Sequence, residues 1–171
     1  MKNSLKFLFF ASAFLLAEVV WADTVTKTVM VSFDIEPVTV LKTNSRMGAS
    51  AVRLGPVSPR GKVSPQAIDI SIVTNERQRY QIYHRLEGDL MNAAGTEFPP
   101  SKVLFKATSG IKGGASEIPD FREVPKEETL LFTSKPEGGP DQFQIFYSVD
   151  SHDVFPAGLY YGNIHLDLRS D

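Results

Sequence analysis

The side chains best suited to acid–base or metal chemistry near neutral pH are three histidines, His84, His152 and His165. They are scattered along the chain and none has a metal-ligand spacing such as HxxxH. His84 and His165 fall inside alternating runs, where a histidine hydrogen-bonded within a strand is the plainer reading. Asp150-Ser151-His152-Asp153 offers carboxylate oxygens to a cation; its other reading is a solvated loop between strands. Lys112-Gly113-Gly114 lacks the strand–GxxxxGK[ST]–helix context of a phosphate loop. Glu117, Asp120, Glu123, Glu127 and Glu128 crowd one acidic stretch, but general acid–base work needs a pocket that pairs two such groups. Arg60-Gly61-Lys62 and Arg77-Gln78-Arg79 read as exposed basic turns or as contacts to carbohydrate or matrix. Without any cysteine the chain has neither a thiol nucleophile nor a thiolate metal site. The expectation is a protein that is not an enzyme and carries no cofactor.

The remaining chemistry is that of surfaces and edges, which depends on the elements that carry them. Lys2 and Lys6 followed by LKFLFFASAFLLA, with Val20-Trp21-Ala22 as a cleavage site, mark residues 1–22 as a signal peptide. The apolar run is short for a membrane-spanning helix; an uncleaved anchor is the other reading. Residues 23–171, about 150 in number, suffice for one domain that buries about two-thirds of its unfolded surface. The formal net charge is −2 over the whole chain, which gives no reason to invoke nucleic acid. An exported chain without disulfides must be stabilised by its core.

Short apolar or alternating runs recur at 38–41, 52–54, 68–73, 79–84, 103–107, 129–132, 143–149 and 160–168, separated by Gly/Pro-rich turns. No helical period competes with them, and the pattern predicts an all-β fold, an antiparallel β-sandwich. Residues 86–94 read as either a helical turn or an irregular crossover, and 109–128 as a long loop. Phe155-Pro156-Ala157-Gly158-Leu159-Tyr160 has the spacing of a tyrosine corner. In immunoglobulin-like sandwiches this corner introduces the next-to-last strand. Here Ile164, Leu166 and Leu168 line one face of that strand, and the sequence ends at Asp171. By this count the sandwich lacks its final strand.

The N-terminal segment supplies what the other end lacks. Val25, Val29, Val31, Phe33 and Ile35 share one face of a period-2 strand, together with Lys27. Buried, these five apolar side chains stand for about 8–15 kcal/mol of gross burial, comparable with a domain's whole net stability of about 5–15 kcal/mol. At Pro37 the phase of the apolar residues breaks, since Val38 and Val40 fall on even numbers, which favours a separate module. Residues 23–36 can pair within their own chain or be donated to a neighbour as an added strand. The residues alone leave both open. Lys27 is expected at the mouth of whatever groove the segment fills, its stem packed and its ammonium in water.

Val25-Thr26-Lys27-Thr28-Val29-Met30-Val31-Ser32-Phe33-Asp34-Ile35-Glu36-Pro37-Val38 resembles the start of mature pilins of the colonisation-factor type, assembled by the alternate chaperone–usher pathway. The likeness continues more weakly through Ser50-Ala51-Val52-Arg53-Leu54 with Pro59 and through Ile72-Val73-Thr74-Asn75. It returns at Pro156-Ala157-Gly158-Leu159-Tyr160-Tyr161-Gly162, and in all covers about a quarter of the chain. The resemblance implies an incomplete immunoglobulin-like sandwich over 37–171 and a donor strand over 23–36. It places the acceptor edge at Tyr160, Ile164, Leu166 and Leu168. It further implies neighbouring subunits, a periplasmic chaperone and an outer-membrane usher as partners. Export would lead through the periplasm to a surface fimbria, and a host-cell glycan or protein is a further expected partner. Phe33 is bulkier than the small residue those pilins carry there, and 109–128 has no counterpart. The alternative expectation is a self-complemented secreted sandwich that binds carbohydrate or protein through its loops.

Overall fold

A computed structural model describes residues 30–45, 54, 63–150 and 154–171. The chain divides at Asp34/Ile35 into two units. Among the described residues the larger carries ten strands: β1 Thr39–Ser45, β2 Gln66–Thr74, β3 Tyr80–Met91, β4 Glu97–Phe98, β5 Val103–Ala107, β6 Ala115–Ser116, β7 Arg122–Glu123, β8 Thr129–Thr133, β9 Asp141–Val149 and β10 Tyr161–Ser170. One sheet has the order β1-β2-β9-β5-β7; the other runs β10-β3-β8-β6, with β4 on β3. Every pairing is antiparallel. The fold is the expected all-β antiparallel sandwich. Among the described residues no helix is long and apolar enough to cross a membrane.

Alternation in the sequence determines the inner faces. Ile70 and Ile72 of β2, Tyr80, Ile82 and Leu86 of β3, and Phe143, Ile145, Tyr147 and Val149 of β9 are all buried. They recur at every second position because successive side chains leave opposite faces of a pleated strand. The sheets meet through aromatic contacts. Phe132 of β8 stacks on Phe143 of β9 with centroids 4.3 Å apart, and His84 of β3 stacks on Phe105 of β5 at 4.7 Å.

Three expectations change on contact with the fold, and a fourth, the run at 52–54, falls mostly outside the described residues. Residues 86–91, read as a helical turn or a crossover, extend β3 in pairing with β10. The 109–128 stretch is no free loop: it contains β6 and β7 and buries Ile118 and Val124 in the core. Of the run at 52–54 only Leu54 is described, and it lies outside any strand. The phase break at Pro37 does not hold either. On β1 it is Leu41 that packs on the core, while Val38 and Val40 are exposed. The core-facing parity at 39–43 is therefore the same odd parity that the N-terminal segment shows.

The first part of 109–128 is gathered around Asp141. Its buried carboxylate accepts hydrogen bonds from the backbone N–H groups of Lys112 (2.8 Å), Gly114 (2.9 Å) and Gln142 (2.7 Å). A Cβ at Gly110 would collide with that carboxylate, and one at Gly114 with the Phe132 ring. Both glycines exist because backbone must approach a side chain this closely. Asp141→Ala leaves three N–H groups without their acceptor and should cost about 3 kcal/mol or more, read as a lower urea midpoint at unchanged slope. An unchanged midpoint would contradict the assignment.

His84 is fully buried between the sheets, with Nε2 2.9 Å from the Tyr147 hydroxyl and Nδ1 without a partner. The plain reading of a fully hydrogen-bonded strand histidine is thus half right. Burial lowers its pKa from 6.5 to about 4, and the nearby Arg122 charge adds to the effect. In the unfolded chain His84 takes up its proton near pH 6.5; in the folded protein it resists until about 4. Stability is therefore complete above pH 6.5 and declines as the pH falls through that window, by up to about 3 kcal/mol. Chemical denaturation of wild type and His84→Gln at pH 7, 5.5 and 4 should show a flatter decline in the variant.

Candidate functional site

The two flanks of the sandwich are built differently. On one flank each sheet ends in a two-residue strand, β6 or β7. Strands that short are a common way of blunting an edge, since they present few unpaired backbone groups. On the other flank the sheets end in β1, seven residues, and β10, ten residues. Among the described residues, β1 pairs only with β2, and β10 only with β3.

Between these two long edges lies a groove of about 670 Å³, lined by Thr39 and Leu41 of β1 and by Leu166, Asp167, Leu168 and Arg169 of β10. Leu41, Leu166 and Leu168 are half-buried: they pack against the buried core on one side and remain open on the other. The groove thus alternates apolar Leu41, Leu166 and Leu168 with polar Thr39, Asp167 and Arg169, and among the described residues it is bordered by strand edges that pair no further. It offers backbone hydrogen-bonding groups along both edges and leucine surface between them.

The outer face of β10 is polar and satisfied. His165 Nε2 lies 3.0 Å from Glu87 Oε2, and that hydrogen bond, with one from Asn163, holds the Glu87 carboxyl below the usual carboxylate range. Arg169 pairs with Glu128 at 2.5 Å and lies over the Tyr83 ring. β10 is therefore amphipathic across its width, with charge outward and leucine toward the slit.

Of the residues expected at the acceptor edge, Leu166 and Leu168 line the groove. Ile164 lies farther along β10 and is 38% exposed. Tyr160 stands just before β10; its ring packs near Phe98, with centroids 5.4 Å apart, and its hydroxyl donates to the Pro156 carbonyl at 2.9 Å. That backward bond, four residues upstream, is the one a tyrosine corner makes. Thr39 and Leu41 were not anticipated as the facing wall. Their signal was present in the sequence, because β1 directly follows the N-terminal segment and Leu41 is its one core-facing aliphatic residue.

Of the residues expected in the donor strand, Val25 and Val29, like Lys27, lie outside the described residues. Val31 and Phe33 are each 82% exposed and Ile35 is 69% exposed, and residues 30–38 form no strand. The other chemical candidates fall away or lie elsewhere. The amides of Lys112 and Gly114 are already engaged by Asp141. Arg79 pairs with Asp171 at 3.7 Å. Arg60, Lys62 and residues 151–153 lie outside the described residues. Among the described residues no group of three or more His, Asp or Glu side chains is placed to hold a metal ion.

Comparison with protein-family models and with curated proteins finds no match for this chain. The groove and the exposed segment must therefore be read from their own geometry. Tyr160→Phe removes the bond that turns the chain into β10 and should lower stability by about 1 kcal/mol, measured as a drop of a few degrees in Tm.

Proposed function

We propose that this protein is a structural subunit of a bacterial surface fimbria, polymerised by donor-strand complementation and supporting adhesion. In this reading residues 23–36 of one copy fill the β1–β10 groove of the next. The observation that carries it is the pairing of two incomplete features in one chain. Among the described residues a groove with Leu41, Leu166 and Leu168 in its lining lies between two long unpaired edges, while Val31, Phe33 and Ile35 stand exposed without strand pairing.

The strand order supports the same reading. An immunoglobulin-like sandwich has strands A, B, E and D in one sheet and C, F and G in the other. The order β1-β2-β9-β5 follows A-B-E-D, and β3 with β10 follows C-F. Strand G would lie beyond β10, where the groove is. The tyrosine corner at Tyr160 agrees with β10 as strand F. A subunit built this way exposes an aggregation-prone slit until it is filled, which accounts for a periplasmic chaperone that lends a strand and an outer-membrane usher that exchanges it. The N-terminal resemblance to colonisation-factor pilins points to the same partners. Self-complementation, the alternative, is less well supported because residues 30–38 form no strand.

The test is deletion of residues 23–36. The truncated chain should remain monomeric on its chaperone and form no fibres, and a synthetic peptide of residues 23–36 should bind it and raise its Tm. Fibres of normal length from the truncated chain would overturn the proposal.

A further inference from the structure

Resting on the donor-strand reading, we infer that Asn75 is a positioning residue that holds the root of the N-terminal segment in line with β1 and so directs the segment to another copy of this chain. The sequence gives Asn75 no obvious task beyond a turn after β2. The structure shows it engaging Glu36 and Val38, the residues that lead from the N-terminal segment into β1.

The β1–β2 ladder ends regularly at Thr39↔Thr74. One step beyond, the Asn75 N–H donates to the Val38 carbonyl at 3.2 Å, continuing the ladder through backbone. From there the side chain takes over. The Val38 N–H donates to Asn75 Oδ1 at 2.7 Å, and Asn75 Nδ2 donates to the Glu36 carbonyl at 2.9 Å. Only one orientation of the amide serves both, since one partner is a donor and the other an acceptor. The residue skipped between them is Pro37, which has no N–H to offer. Pro37 also biases Glu36 toward an extended backbone. A single asparagine thus imitates a further stretch of neighbouring strand for residues 36–38. Below it the start of β1 is tied again, with the Thr39 hydroxyl 2.8 Å from that of Thr74 and bonded to Glu76 at 3.2 Å.

This geometry bears on where the segment can go. The groove is bordered by Thr39 and Leu41, immediately after the clamped residues. For the same chain to fill its own groove, it would have to reverse direction between Ile35 and Thr39. A reversal there must release the Val38 N–H and the Glu36 carbonyl from Asn75. Those two bonds sit at the surface, where hydrogen bonds are of modest net worth, and together they bias the in-line root over the reversed one about tenfold or more. Donation to a second copy leaves both bonds intact.

The experiment compares the chain beginning at Asp23 with its Asn75→Ala variant, using a synthetic peptide of residues 23–36 as probe. In the wild type the groove of a dilute monomer is open and takes the peptide. In Asn75→Ala the chain's own segment competes, so peptide affinity and fibre growth rate should both fall about tenfold, while light scattering shows a larger monomer fraction. The same substitution in the chain lacking residues 23–36 should leave peptide affinity unchanged, because no internal competitor remains. Wild-type affinity and growth in Asn75→Ala would overturn the inference, as would an equal loss of affinity in the truncated pair, which would mean a damaged groove. Neither result touches the donor-strand reading. That reading fails separately, if the peptide binds no version of the chain and truncation leaves assembly unchanged.

Discussion

The constraint on which the rest of this molecule depends is the cost of leaving a sheet edge and an apolar slit open to water at the same place. Backbone N–H and C=O groups along an edge tolerate water, and half-buried leucines tolerate some exposure. Between Thr39 and Leu41 of β1 and residues 166–169 of β10 the two occur together, the combination that makes an open sheet edge prone to pairing with another chain. The opposite flank, closed by the two-residue strands β6 and β7, marks the difference: there the chain ends both sheets in short pieces. On the β1–β10 flank the structure keeps long edges and the groove of Leu41, Leu166 and Leu168 between them.

The body that carries this groove is held together by identifiable contacts. Phe132 on Phe143 and His84 on Phe105 lock the two sheets face to face. Asp141 gathers the backbone of 112–114 around a buried carboxylate, and Gly110 and Gly114 allow the approach. Tyr160 sets the entry to β10 through its bond to Pro156. Each of these contacts fixes the position of a strand or loop within the sandwich. Under the proposed function the exposed segment and the slit are two halves of one hydrophobic core, divided between successive copies.

Alternation at 68–73, 79–84 and 143–149 made the strands, their inner faces and the sandwich class legible from residues alone, because a two-residue period has only one structural meaning in short runs bounded by turns. The corner at Tyr160 was legible for a similar reason: it is a local arrangement whose hydrogen bond spans four residues. The contacts that gather residues 112–114 were not legible, since Asp141 reaches Lys112 and Gly114 across 29 and 27 positions. The partial phase of β1 misled, because Val38 and Val40 are apolar yet face solvent. At an edge strand, apolar character does not by itself say which way a side chain points.

By itself, then, the sequence determined an all-β chain without thiol chemistry, the inner faces of its longer strands and an N-terminal segment with more apolar surface than an isolated strand can shelter. Those are properties of composition and period, which act over a few residues. Only the tertiary structure decided that β1 and β10 face each other across an open groove, and that Asn75 ties residues 36–38 alongside the end of β2. Both follow from which strands become neighbours, a choice made by the packing of the whole core.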